Sequence, residues 1–238
     1  MSELASIAHD LRSPLAGLVA LLDMLAGEVD GPLNDSQKAR LARARATVDR
    51  LNGLVNAIAE LAQVESGRLV LARGPVNLDE AAQRVRQQLE PLLRSRAVSL
   101  QIVVPPDLAP LQGDPQRTGQ MLASLVTGLV KQVEGTTLEM TAAPRGTMIE
   151  VTLREAARGL PVEALPPAFD QEPASGSDDA MLRGIGLSLA RALAVLHGGS
   201  LSFGRDAGGA LAAALLLPAE MGDSKPRAER PADLHPAP

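Results

Sequence analysis

The chain has no cysteine, no tryptophan and no tyrosine, and two phenylalanines. Without cysteine there is no disulfide, no thiolate metal site and no cysteine nucleophile, a usage compatible with the cytosol. With so few rings the interior must be filled by Leu, Val, Ala, Ile and Met, a set that favours helix packing over an aromatic-rich β-sandwich. Positive charge is also scarce. Lys and Arg number 23 against 28 Asp and Glu, for a formal net charge of −5, so there is no electrostatic footprint for a general nucleic-acid partner. No apolar stretch reaches the ~18–20 residues a membrane span needs, and no basic-then-apolar leader opens the chain. The expectation is a soluble, cytoplasmic protein with neither a nucleic-acid nor a membrane partner.

What is present is a globular composition, 45% hydrophobic and 21% charged over 238 residues, enough for one large domain or two modest ones. Leu4, Leu11, Leu18 and Leu25 recur every seven residues, with Ile7 and Leu21 on adjacent rows. That pattern predicts a helix to about Gly27. Turn residues follow in "GEVDGPLNDS", with Asp35 or Ser36 as the expected N-cap. A second helix is predicted to about Ser66, with Leu41, Val48, Val55 and Ala62 on one row and Leu51 and Ile58 on the next. A lone hairpin cannot enclose its own apolar seam, so two copies are expected to form a four-helix bundle in a homodimer. The alternative is a hairpin packed on its own C-terminal part.

From Gly67 the character changes. The pattern predicts a short strand, a linker, a helix from about Leu78 and a strand ending before Pro105. A helix over 114–133, strands near 137–141 and 148–154, a helix over 186–198 and strands at "GGSLSF" and 210–217 complete an α+β arrangement, an α/β sandwich. The division is therefore a hairpin over 1–68, a sandwich over 69–218 and a polar, proline-rich tail over 219–238, expected to be disordered.

The hairpin carries "SIAHDLRSPLAGL" at 6–18. At ~100° per residue His9 lies on the face away from Leu4 and Leu11. An exposed neutral imidazole has a nitrogen lone pair with which to attack phosphorus, given a neighbour to hold its tautomer and take a proton. Asp10 adjoins it, Ser13 lies one turn beyond on the same face, and Pro14 removes a helix hydrogen bond, so a bend is expected after His9.

"HDLRSPLAGL" resembles the H-box of bacterial sensor histidine kinases: His, an acid, two variable residues, Thr, Asn or Ser, then Pro-Leu. The resemblance extends over roughly 3–218. It implies that His9 is the phosphoacceptor, Asp10 its acid/base partner and Ser13 the position associated with dephosphorylation. It also implies a Bergerat-type (GHKL ATPase-like) domain with three nucleotide motifs. The first, "NLLxNAxK", corresponds to a stretch of "DPQRTGQMLASLVTGLVKQ" in which Asp114, Arg117, Gln120, Leu125 and Lys131 fit, while Ser124 and Gly128 replace the asparagines. Glycine has no side chain to hold Mg²⁺. The second, "DxGxGIP", reads "REAARGLP", with Glu155 for the Asp, Ala157 for the first Gly, and Gly159 kept. The third, "GxGLGL", reads "GIGLSL": Gly184 and Gly186 remain and Ser188 replaces a Gly near an expected phosphate-cradling helix N-terminus. The intervening lid is short and acidic, and His197 in "LHGGSL" is expected to be a structural turn residue.

The acceptor half is thus intact and the donor half eroded. The leading expectation is a histidine phosphotransferase that carries a phosphoryl group on His9 between response-regulator receiver aspartates. Such a chain is similar to ChpT-like phosphotransferases, with an upstream hybrid histidine kinase as a further partner, no cofactor of its own, and Mg²⁺ supplied by the receiver. The alternatives are a divergent kinase using ATP at Lys131, Glu155, Gly159, Gly184 and Gly186, and a non-catalytic pseudokinase module.

Overall fold

The computed structural model describes residues 3–29, 31–156, 178–205 and 210–220. Two antiparallel helices, α1 (Glu3–Ala26) and α2 (Asp35–Glu65), lead into an α/β region. The N-cap of α2 is Asn34, one residue ahead of the expected pair. Its side chain accepts from the Gln37 N–H at 2.9 Å, and the Gln37 side chain accepts from the Asn34 N–H at 2.8 Å. This reciprocal box satisfies two donors at once, which neither Asp35 nor Ser36 is placed to do. In the preceding turn a hydrogen bond from Lys38 and another from the Leu33 backbone hold the Glu28 carboxyl below the usual carboxylate range.

Burial splits α1 into two apolar stripes. Ala8 and Leu15, with Val19 and Leu22, pack on Val48, Val55, Ile58 and Ala59 of α2. Ile7, Leu11, Leu18, Leu21 and Leu25 form the second stripe and remain 42–59% exposed. The heptad leucines therefore are not what joins the two helices. Helix α1 runs unbroken through Pro14.

Beyond the hairpin come β1 (Gly74–Val76), α3 (Leu78–Gln88), α4 (Glu90–Ser95), β2 (Ser99–Val103), β3 (Leu111–Gly113) and α5 (Pro115–Val130). They are followed by β4 (Thr137–Arg145), β5 (Met148–Glu155), α6 (Asp178–Leu196), β6 (Ser200–Arg205) and β7 (Leu211–Pro218). The main sheet has the order β2-β4-β5-β7-β6, with β2 parallel to β4 and the other pairs antiparallel. Strand alternation gives it two unlike faces. Leu138, Met140, Ile149, Val151 and Leu153 point into a core shared with α3, α5 and α6. The other face carries Arg154 on Glu139 and Arg145 on Glu150, both at 2.8 Å. It is a two-layer sandwich of the GHKL ATPase-like kind.

The strand expected just after Gly67 is displaced to β1, which pairs with β3, an element too short to leave a periodic signal. The cause is Asp114. As N-cap of α5 its Oδ1 accepts from the Gln116 and Arg117 N–H groups at 3.0 and 3.1 Å, while Oδ2 takes the Ala72 N–H at 2.9 Å. Residues 68–73 are fixed by that carboxylate and by buried Leu69 instead of by a ladder. Asp114→Ala is expected to cost about 2–3 kcal/mol in urea unfolding, one lost cap plus one bond to a charged group, with Asp114→Asn costing less.

Helix α6 ends in a Schellman motif. Gly198, at φ +81°, donates to the Val195 carbonyl and Gly199 to that of Ala194. A Cβ on Gly199 would lie 1.9 Å from the Leu216 carbonyl oxygen. Since that contact is with backbone inside a paired strand, Gly199→Ala is expected to destabilise the fold by about 3 kcal/mol. The adjacent His197 is buried, with Nδ1 donating to the Leu193 carbonyl at 2.7 Å and Nε2 accepting the Asp114 N–H at 3.3 Å. Both ring nitrogens are used, so it is a structural brace.

Candidate functional site

His9, Asp10 and Ser13 are all exposed on α1. Helical phase puts His9 and Ser13 about 120–180° from the exposed Leu11/Leu18/Leu25 stripe, so a chain covering those leucines leaves the imidazole open. Three polar links cross the hairpin: Arg12 Nη2 to Asn56 at 3.4 Å, Arg45 to Asp23, and Lys38 to Glu28 at 2.8 Å. Their register sets His9 level with Ala59 and Glu60 of α2.

A cleft of about 620 Å³ opens along α5. Ser124, Gly128 and Lys131 line it from α5, Gly186 and Leu187 from α6, and Glu60 from α2. The structure thus gathers Lys131, Gly186 and both substituted positions of the first motif in one place. Glu155 does not line it; it closes β5, paired with Leu138. Gly159 and Ala157 lie outside the described residues. Because α6 starts at Asp178, Gly184 and Gly186 sit in its interior and not at its N-terminus, where a helix over 186–198 would have put them. Their N–H groups are therefore internal helix donors and not a phosphate cradle. Sequence reasoning did not single out Glu60, whose partners Arg117 and Gln120 lie on α5. No local pattern announces a contact across 57 residues.

The His Kinase A (phospho-acceptor) domain family matches residues 2–67. The Histidine kinase-, DNA gyrase B-, and HSP90-like ATPase family matches residues 113–221. Together they take in the helix of His9 and most of the sandwich, in the family's order. The chain belongs to the two-component sensor histidine kinase family.

Relatives of this chain include a sensor-like histidine kinase of Rhizobium meliloti, 29% identical over 84% of this chain and 39% of the relative. Histidine protein kinase DivJ of Caulobacter vibrioides is 28% identical over 83% of this chain and 34% of its own length. The chain therefore spans between a third and two fifths of these curated relatives. Full-length ShkA, solved in complex with AMPPNP, shares the fold at a TM-score of 0.70 and 20% identity, over 91% of this chain and 45% of that one.

A nucleotide with its Mg²⁺ is the group such a family implies, and the residues along α5 fit it poorly. Gly128 is buried. A Cβ there would already touch Leu187 Cδ2 at 3.4 Å and Phe203 Cε2 at 3.5 Å. These are ordinary van der Waals distances, so the position is flanked by hydrocarbon and carries no donor for a metal. Lys131 and Ser124 remain, and the Glu60 carboxylate and Gln120 carboxamide of the same wall are bonded to each other and to Arg117.

Proposed function

We propose that the chain is a histidine phosphotransferase of a two-component phosphorelay, similar to ChpT-like proteins, and that ATP is not its phosphoryl donor. The observation that carries this reading is the packing of Leu187 and Phe203 over Gly128, beside an unobstructed His9. The lone-pair nitrogen of His9 attacks the phosphorus of a receiver domain's aspartyl phosphate. An N–P bond forms, the bond from phosphorus to the aspartyl oxygen breaks, and the carboxylate leaves with the electron pair. Asp10, next to His9, holds the imidazole tautomer and takes up the ring proton. The step reverses onto the aspartate of a second receiver, and in both directions the Mg²⁺ belongs to the receiver. Ser13, one turn on, would orient a phosphoryl oxygen or the water that removes it.

The working assembly in this reading is a homodimer. Its interface is the exposed leucine stripe of α1, which a second hairpin would cover to give four helices. Its partners are receiver domains and an upstream hybrid histidine kinase, and its place is the cytoplasm. Among the described residues no helix is long and apolar enough to cross a membrane.

The test is transfer from a phosphorylated receiver domain to the purified chain, in parallel with labelled ATP. Label on His9 from the receiver alone supports the relay. Label from ATP alone replaces it with the kinase reading, and label from neither leaves the interaction module.

A further inference from the structure

The three polar links that cross the hairpin are not alike. Arg45 meets the Asp23 carboxylate and Lys38 the Glu28 carboxylate, so each of those cations is neutralised by an acid. Arg12 is set instead against the side chain of Asn56 on α2, its Nη2 donating to Oδ1 at 3.4 Å. Among the described residues no carboxylate pairs with Arg12. A carboxamide oxygen orients a guanidinium without cancelling its charge. Arg12 follows His9 by three residues, so the two are neighbours on one helix face, with Cβ atoms about 5–6 Å apart. Helical side chains lean towards the N-terminus, and Arg12 therefore overlies the turn that begins at His9. At ~100° per residue it lies about 60° to one side of His9, and Ser13 about 40° to the other. All four side chains, His9, Arg12, Ser13 and Asn56, are exposed.

We infer that Arg12 is the cation that receives the phosphoryl oxygens on His9, and that Asn56, on the other helix, is the residue that positions it. A phosphoryl group is a dense anion with three acceptor oxygens, and the guanidinium fork matches two of them. Helix α1 supplies nucleophile, cation and hydroxyl, while α2 supplies the aim, so the phosphoryl site belongs to the folded hairpin and not to the segment around His9 alone. A neutral partner is what this role needs. An acid at position 56 would hold the guanidinium before any phosphoryl group arrived. The inference rests on the reading of His9 as the phosphoacceptor and adds to it the residues that hold the transferred group.

The full-length chain is incubated with phosphoramidate, a small donor that needs neither a receiver domain nor ATP. His9 attacks the phosphorus, the new N–P bond forms, the bond to the amino nitrogen breaks, and ammonia leaves with the proton given up by the imidazole. A His235→Asn background makes the label report His9, since His197 is buried with both ring nitrogens used. Arg12→Gln is expected to label about tenfold more slowly, the low end for one lost bond to a charged group, and Arg12→Lys to recover part of the rate. The deciding variant is Asn56→Asp, which is close to isosteric and turns the Arg12 contact into an ion pair. A merely structural contact would leave labelling unchanged in that variant. The inference expects labelling as slow as in Arg12→Gln, with a urea midpoint no lower than that of the parent. In the Arg12→Gln background, Asn56→Ala is expected to slow the reaction no further. Labelling of Arg12→Gln or Asn56→Asp at the parent rate overturns the inference, as does a parent chain that phosphoramidate leaves unlabelled at His9. The relay fails separately: a chain labelled in this Arg12-dependent way that takes nothing from a phosphorylated receiver keeps the inference and loses the relay.

Discussion

His9→Ala, mixed with a phosphorylated receiver domain, is expected to acquire no label, a loss of more than ~1000-fold against the wild type because the attacking atom itself is gone. The variant should fold normally, since His9 is exposed and makes no contact on which the hairpin core of Ala8, Leu15, Val48 and Val55 depends. Receiver binding, measured by calorimetry, should survive. Asp10→Asn is expected to keep the acceptor and lose about 10²–10⁴ in rate, the usual range for one positioned acid or base. Transfer of label to the alanine protein would remove His9 from the reaction.

Mg²⁺-ATP is expected to bind the chain in the millimolar range or weaker, and γ-labelled ATP to leave His9 unlabelled. Each lost bond to a charged ligand costs ~1.5–3 kcal/mol, so the loss of a metal-holding side chain and a phosphate cradle removes about three decades of affinity. Gly128→Asn alone should restore nothing. The new carboxamide would lie against the Cδ atoms of Leu187, 3.4–3.5 Å from the added Cβ, and Ser124 and Glu155 would still stand in the other motif positions. Micromolar affinity in calorimetry, with label on His9, would falsify this account and establish a divergent kinase.

The two long helices and most of the sheet were legible because hydrophobic period alone specifies them: α1, α2, β5 and β7 fall within a residue or two of the pattern. The seven-residue leucine row of α1 was legible too, but its meaning was not. A row shows that a face is apolar, and only the structure shows that α2 takes the neighbouring Ala8/Leu15 face and leaves the leucines uncovered. Strand β1 was expected several residues too early and β3 was missed, because three residues are too few to alternate. The start of α6 was missed because glycines in "GIGLSL" read as a helix boundary, whereas the helix already begins at Asp178. His9, exposed on α1, and Lys131 and Gly128, which line the cleft, were singled out by motif spacing. Glu60 was not, because the fold and no motif brings it to Arg117.

The grip of Asp114 on Ala72 fixes one end of the connection between hairpin and sandwich, and the C-terminus of α2 at Ser66 fixes the other. What lies between is residues 67–71, roughly 20 Å from Ser66 to Ala72 at full stretch and less while Leu69 stays buried. Were the Glu60 contact to open, the sandwich could swing only within that radius of the end of α2. It is a leash and not a linker: the local concentration of the sandwich around its own hairpin stays high whether or not the Glu60–Arg117 contact is made.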